Sequence, residues 1–165
     1  MEKIAQEKGR ETGLIIGKFM PPHRGHVHLI KSARPHARRL TILVCTQEGE
    51  PIPGELRYRW MRELFPEDNV LHLTGPNPAE PHEHPDFWKL WKKSIRRLVP
   101  RAPDMVFTSE SYGDELARHL GALHIAIDPQ RRRFPVSGTA IRKDPFIFWD
   151  MLPECTRPYY VKRVV

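Results

Sequence analysis

The chain has 165 residues, of which 39% are hydrophobic, and this size and composition suit a single domain with one core. No apolar run approaches the ~20 residues of a membrane helix, and the charged segment 1–12 lacks the apolar centre of a signal peptide. Membrane and secreted proteins are therefore disfavoured, and a cytoplasmic protein is expected. The formal net charge of +7 indicates an anionic partner, either nucleic acid or a small polyphosphate such as ATP.

Short apolar runs alternate with amphipathic segments along the chain, and proline-rich connectors separate several of them. In chain order this pattern predicts a strand at 14–16, a helix at 25–33, a strand at 40–45, a helix at 56–65, a strand at 70–73, a helix at 87–98, a strand at 105–107, a helix at 114–120 and a strand at 124–127. Alternation of this kind is typical of parallel sheets. We therefore expect a Rossmann-like, doubly wound α/β domain, in which five parallel strands carry helices on both faces. In such sheets ligands bind beyond the carboxyl ends of the strands.

The first predicted strand ends at Gly17 and leads into the segment 17–26 (GKFMPPHRGH), where a loop becomes a helix. Gly25 permits close backbone approach, and a helix start offers free N–H groups and the positive end of the helix dipole. His23 and His26 can donate hydrogen bonds to phosphate oxygens at this place. Two other interpretations remain open, namely metal ligation and simple helix capping.

The second motif is the segment 135–142 (PVSGTAIR), which follows the last predicted strand and opens a helix. Ser137 is a suitable N-cap, and Thr139 adds a hydroxyl beside the free N–H groups. Arg142 lies about one turn into the helix, where its guanidinium can bind phosphate oxygens in a fork. Taken alone, the motif is no more than a good helix cap. The basic run 131–133 just before it is ordinarily a solvated loop, but its position next to a phosphate-type motif gives it interest.

Together the two motifs resemble the nucleotidyltransferase superfamily with the HxGH signature. Further blocks occur in the same order at 108–113 (TSESYG), 128–129 (DP) and 144–146 (DPF). From about Gly13 to its end, the chain resembles the NMN adenylyltransferase domain of the bifunctional NAD-biosynthesis regulators, in which this domain is joined to a ribosylnicotinamide kinase. The resemblance implies the HxGH nucleotidylyltransferase fold and the reaction of ATP and NMN to give NAD and pyrophosphate.

The same resemblance bears on domain organisation. We expect one nucleotidyltransferase domain over 1–165 with a charged extension at 1–12, and without the kinase and helix-turn-helix domains of some family members. The chain is then either a stand-alone enzyme or a domain cut from a longer protein. In the family, a strand like 159–165 leads into the glycine-rich phosphate loop of the kinase.

The resemblance and the motif positions also imply roles for individual residues. His23, His26 and Arg142 are expected to be catalytic through their contacts with the phosphates. The expected ATP-binding residues are Gly17, Lys18, Phe19, Met20, Gly25, Ser109, Glu110, Tyr112, Val136, Ser137, Gly138 and Thr139. Trp88, Trp91 and Asp128 are expected at the NMN side. Mg²⁺ is expected to arrive on the triphosphate, without metal ligands from the protein, although Asp128 could touch it through water.

Some of these assignments have structural competitors. Trp91 shares an apolar stripe with Leu90 and Ile95, so core packing competes with stacking on a cationic pyridinium ring, whereas Trp88 lies off the centre of that stripe. Tyr58 and Trp60 are interpreted as structural or surface residues. The same interpretation covers His28, His36, His72, His82, His84, His119 and His124.

Rival functions differ in substrate or in class. A related enzyme could use nicotinic acid mononucleotide, phosphopantetheine or FMN as acceptor, or CTP as donor. The hypothesis of a nucleic-acid-binding module is supported by the net charge alone. The aromatic residues are not interleaved with basic ones, as a surface that binds single-stranded nucleic acid requires. We expect small-molecule substrates, no nucleic acid and no membrane partner. The sequence leaves a homo-oligomer open.

Overall fold

The computed structural model describes residues 11–161. Five strands form one parallel sheet in the order β3-β2-β1-β4-β5. The strands are β1 Thr12–Gly17, β2 Arg39–Thr46, β3 Asn69–Thr74, β4 Met105–Thr108 and β5 Leu123–Ala126. Strand order reverses between β1 and β4, so the switch point of a doubly wound sheet lies at the carboxyl end of β1.

Helices connect the strands and continue beyond the sheet. They are α1 Arg24–Ala33, α2 Gly54–Leu64, α3 Phe87–Leu98, α4 Gly113–Leu120, α5 Gly138–Lys143 and α6 Arg157–Val161. The predicted α/β class, the parallel sheet and the order of elements are thereby confirmed. Boundaries differ slightly from the predicted ones: α2 begins at Gly54, and β5 runs one residue ahead of the predicted strand.

The core lies on both faces of the sheet, because successive strand residues point to opposite sides. On one face Ile15 and Ile42 pack with Ile30 of α1 and Met61 of α2. On the other face Leu14 and Leu43 pack with residues of α3 and α4, including Ile95 and Leu116. The sheet is therefore buried from both sides, which explains its continuous apolar runs.

The expectation of a strand at 159–165 is wrong for the part that is described. Residues 159–161 belong to the helix α6, and 162–165 lie outside the described residues. Pro158 fits the first turn of a helix, where its missing N–H has no partner to lose. Tyr160 is buried against Val136, Ile141 and Leu152, so one side of this segment packs on the domain. Within residues 11–161, no helix is long and apolar enough to cross a membrane.

Candidate active site

A cleft of about 620 Å³ lies at the carboxyl end of β1, beside the switch point of the sheet. Its walls come from the loops after β1, β4 and β5, from the start of α3 and from the start of α5. Every residue that the sequence assigned to catalysis, ATP or NMN lines this cleft. The two motifs, which are more than a hundred positions apart in sequence, therefore meet in one place.

The histidine pair forms the start of α1. His23 is the N-cap residue, and its Nδ1 accepts the Gly25 N–H at 3.1 Å, while Nδ1 of His26 accepts the His23 N–H at 3.2 Å. The two rings are stacked with their centroids 3.7 Å apart. Since each Nδ1 is an acceptor, each neutral ring carries its proton on Nε2. The capping geometry thus turns both imidazoles into Nε2–H donors.

Both rings are neutral at physiological pH. Burial, assisted by the positive charge of Arg131, lowers the pKa of His23 to about 4. Burial also lowers the pKa of His26 well below 6.5, and a positive charge on His23, when that ring is protonated, or on Arg131 lowers it further. A buried cation without a partner is costly, so the neutral form is the favoured one. The rings therefore offer hydrogen bonds rather than charge.

The second wall is the start of α5. Ser137 caps this helix, because its Oγ accepts the Ala140 N–H at 3.1 Å. Gly138 lies against the loop after β1, and a Cβ placed on it would come within 2.7 Å of the Met20 carbonyl oxygen. The Arg142 guanidinium donates to that same carbonyl and to the Thr139 hydroxyl. The predicted cap is confirmed, and the two helix starts are packed together.

The loop after β4 forms a third wall and is held by side chains. Ser109 Oγ donates to the Ile127 carbonyl at 2.6 Å. Thr108 Oγ lies 2.9 Å from Nε2 of His124, whose Nδ1 is 2.7 Å from Asp114. This chain of contacts fixes the turn that carries Ser109 and Glu110. His124 is thus structural, as the sequence suggested.

The two tryptophans line the cleft from the first turns of α3. Trp91 donates its indole N–H to the Pro78 carbonyl at 2.9 Å, and the Trp88 ring stacks on the His119 ring at 5.2 Å. Both rings also pack against the core on the α3 and α4 side of the sheet. Packing and cleft lining therefore occur together, so the competing interpretations of these residues are compatible.

The loop after β5 contains residues with unusual backbone. Asp128 and Arg131 both have positive φ, 43° and 51°, which costs a residue with a side chain about 1 kcal/mol or more. The Asp128 carboxylate accepts the N–H groups of Arg132 and Arg133, each at 3.0 Å. Asp128 therefore has a structural task in addition to lining the cleft.

Two basic side chains that the sequence did not assign to the site also line the cleft. His28, taken as structural or surface, lines the cleft, and so does Arg131. The Arg131 guanidinium donates to the Val136 carbonyl at 3.1 Å and pairs with Glu110 at 2.5 Å. The basic run 131–133 drew attention to this loop, but three consecutive arginines do not show which side chain lines the cleft.

A resident metal site is not formed by the described part of the chain. Among residues 11–161, no three His, Cys, Asp or Glu side chains are grouped to hold a metal ion. At the cleft, Asp128 already accepts backbone N–H groups and Glu110 already pairs with Arg131. Metal ligation by the histidine pair is also disfavoured, because each Nδ1 is engaged by a backbone N–H.

A parallel sheet of this order, with two donor-rich helix starts at its switch point, suits the binding of a nucleotide's phosphates. The chain belongs to the cytidylyltransferase-like family, whose model matches residues 14–144. The resemblance to nucleotidyltransferases with the HxGH signature is therefore confirmed.

Two curated relatives and one solved structure illustrate the relationship. The trifunctional NAD biosynthesis/regulator protein NadR of Escherichia coli is 26% identical over 173 residues, covering 94% of this chain and 42% of that protein. The nicotinamide-nucleotide adenylyltransferase of Aeropyrum pernix is 30% identical over 141 residues, covering 79% of this chain and 76% of that protein. A crystal structure of NadR with NAD and AMP-PNP matches the fold with a TM-score of 0.67 and 24% identity, covering 90% of this chain and 46% of that one. The chain thus spans less than half the length of the NadR proteins that it matches.

Proposed function

We propose that the chain is an NMN adenylyltransferase, which joins ATP and NMN to give NAD and pyrophosphate. The observation that carries this proposal is the meeting of two helix starts, with their imidazole, hydroxyl and guanidinium donors, in one cleft at the switch point. The relationship to nicotinamide-nucleotide adenylyltransferases and to NadR supports this choice of substrates.

The reaction asks little covalent chemistry of the protein. The second pKa of a phosphate monoester is about 6, so the NMN phosphate is a ready nucleophile near neutral pH. One of its oxygens attacks the α-phosphorus of ATP, and the bond from that phosphorus to the bridging oxygen of the β-phosphate breaks. Pyrophosphate leaves in line with the attack. Catalysis then consists of positioning two anions and stabilising the charge of the leaving group.

The cleft residues suit this task. We assign the Nε2–H donors of His23 and His26 to the α- and β-phosphates. There they can donate hydrogen bonds to the oxygens on which negative charge develops as pyrophosphate leaves. The start of α5 and Arg142 hold the β- and γ-phosphates, with Lys18 beside them. Adenosine lies along Ser109, Glu110 and Tyr112. The remaining ATP-side residues, Gly17, Phe19, Met20, Gly25 and Val136, shape the wall between the two helix starts.

Mg²⁺ enters as part of the MgATP substrate. Magnesium in proteins commonly keeps several waters and binds substrate phosphates with few carboxylates. The cleft fits that mode, because no three His, Cys, Asp or Glu side chains of the described residues are grouped to hold a metal ion, and the Asp128 carboxylate already accepts two backbone N–H groups. The ion would supply further neutralisation of the triphosphate there.

The acceptor lies toward Trp88 and Trp91. A flat cationic pyridinium ring suits an indole face, which favours a pyridine nucleotide over phosphopantetheine or FMN. Asp128 lies at the same cleft and completes the assigned NMN side. The single-domain organisation over 1–165, the cytoplasmic location and the absence of a nucleic-acid partner belong to the proposal. A homo-oligomer is compatible with it.

Product analysis tests the proposed function directly. Incubation with ATP, Mg²⁺ and NMN is expected to give NAD and pyrophosphate, with nicotinic acid mononucleotide, phosphopantetheine and FMN as parallel acceptors and CTP as the parallel donor. His26→Ala should lower kcat by roughly 100-fold or more with a small change in KM for ATP, by analogy with the loss of one oxyanion-hole donor. His36→Ala, on the 3₁₀ turn after α1, is the control and should behave as wild type. The absence of NAD with the unmodified protein, or full turnover by His26→Ala, contradicts the assignment.

A further inference from the structure

Arg131 is a charged side chain of the cleft for which neither motif provides a role. It belongs to the basic run 131–133, and it differs from its neighbours in burial, because Arg132 and Arg133 are exposed while Arg131 is partly buried and lines the cleft. Its φ of 51° lies in the left-handed region, which a residue with a side chain adopts only at a cost in energy. A strained backbone in a cleft loop is a common mark of a functional position.

The guanidinium lies beside the start of α5. It donates to the carbonyl of Val136, the residue just before the Ser137 cap of α5. The Val136 side chain in turn faces the first turn of α1, where a Cβ placed on Gly25 would lie 3.9 Å from it. The charge of Arg131 is also near enough to lower the pKa of both His23 and His26. Arg131 thus adds positive charge where the phosphates are assigned.

The second contact of Arg131 is one that a phosphate can replace. Its other terminal nitrogen pairs with the Glu110 carboxylate, and both side chains are partly exposed, 36% for Arg131 and 45% for Glu110. An exposed ion pair of this kind contributes little to stability. A guanidinium has five N–H donors in a fixed fork, and this fork fits phosphate oxygens as well as a carboxylate.

Charge balance strengthens this interpretation. The two histidines are neutral, so the fixed positive charge of the cleft comes from Lys18, Arg131 and Arg142. The carboxylates that line the cleft are Glu80, Glu110 and Asp128, and Glu110 pairs directly with Arg131. A triphosphate remains anionic even with Mg²⁺. Its binding is therefore strengthened most when the Arg131 guanidinium releases Glu110 and binds phosphate oxygens instead.

We propose that Arg131 is a further triphosphate-binding residue of this cleft, anchored by the Val136 carbonyl and exchanging its Glu110 partner for phosphate oxygens when ATP binds. This inference rests on the proposed function, because it takes ATP as the ligand. It requires no acceptor, so it can be tested without NAD formation.

The test compares ATP with AMP, because AMP carries the adenosine and the α-phosphate but not the outer phosphates. Binding of each nucleotide is measured by titration calorimetry with Mg²⁺ present. Arg131→Ala is expected to weaken ATP binding roughly 10- to 100-fold, the range for a lost charge-assisted contact, and to change AMP binding less than about 3-fold. Arg131→Lys should fall between, since it keeps the charge but loses the fork. Arg132→Ala and Arg133→Ala are matched controls and should bind ATP as the unmodified chain does.

A double-mutant cycle separates direct binding from an effect through Glu110. If Arg131 touches the phosphates, Arg131→Ala weakens ATP binding at least as much in a Glu110→Gln background as in the unmodified chain. If Arg131 only holds Glu110 in place, its loss has no effect in that background, and the inference is overturned. Equal losses for ATP and AMP overturn it as well. Failure to form NAD with ATP binding intact counts against the proposed function instead.

Discussion

At the scale of single residues, the decisive feature is the protonation state of the histidine pair. The capping geometry gives each Nδ1 a backbone N–H donor, and burial keeps the rings neutral. A sequence shows that two histidines stand three apart at a helix start, but burial and tautomer depend on the packing around them. For that reason capping and phosphate binding, which compete as interpretations of the sequence, are two uses of the same imidazoles.

The depressed pKa of His23 predicts a pH-dependent stability. In the unfolded chain this group protonates near pH 6.5, whereas in the folded protein it does so only near pH 4. The unfolded state therefore binds more protons between these values, and the free energy of unfolding falls as pH drops from about 6.5 to 4. The shift corresponds to roughly 3 kcal/mol for this one side chain once the pH is below 4.

His23→Asn isolates this contribution, because asparagine can still cap the helix but does not titrate. Urea unfolding at several pH values between 7 and 4 should show a shallower decline for the variant than for the unmodified protein. His82→Asn, at an exposed position, serves as the matched control and should leave the slope unchanged. If His23→Asn and the unmodified protein lose stability in parallel, the ring is not buried in its neutral form.

At the scale of elements, one buried arginine joins the loops that build the cleft. The Arg57 side chain on α2 is fully buried, and it donates to the Ile52 carbonyl at 3.0 Å and to the Lys18 carbonyl at 2.8 Å. It also pairs with Glu50, whose carboxylate accepts the Gln47 N–H. Arg57 thereby ties the loop after β1 to the loop after β2.

Replacing Arg57 should damage both stability and the site. Arg57→Met leaves the Glu50 carboxylate and the Lys18 carbonyl without their donor, and breaking a buried pair in this way costs about 3–5 kcal/mol. Arg57→Lys keeps the charge but cannot reach three separate acceptors, so it should lose an intermediate amount. Urea denaturation measures the loss, and a raised KM for ATP in Arg57→Lys reports the displaced loop. Arg59→Met, exposed on the same helix, should be nearly neutral.

These elements also show what a sequence can and cannot predict. The alternation of strand and helix patterns is enough to predict the parallel sheet, because each apolar run indicates a buried segment. The position of the cleft then follows, since ligands of such sheets bind beyond the carboxyl ends of the strands. The burial of Arg57 is hidden, since it depends on a carbonyl 39 positions away. Arg131 is hidden for a similar reason, because a basic run looks solvated until the backbone turns one side chain inward. The family resemblance likewise implied a strand at 159–165. Residues 159–161 instead belong to the helix α6, which Tyr160 packs onto the domain.

At the scale of the whole molecule, the cleft brings together two segments that are far apart in the sequence. The Arg142 guanidinium donates to the Met20 carbonyl across 122 positions, and Gly138 packs on the same carbonyl. The sheet makes this possible, since β1 is central and the last strand returns beside β4. The phosphate-binding groups therefore lie on two separate pieces of chain that only the complete fold brings together.

This arrangement predicts a joint response to ATP. A triphosphate that bridges the starts of α1 and α5 should slow amide hydrogen exchange in 17–26 and in 136–142 together, because binding to the folded form stabilises both pieces at once. AMP lacks the outer phosphates, so it should protect 108–112 on the adenosine side but protect 136–142 much less. Exchange followed by mass spectrometry measures each segment, and β3 at Asn69–Thr74, on the far edge of the sheet, provides the internal reference. Protection of one helix start without the other under saturating ATP would show that the triphosphate does not bridge them.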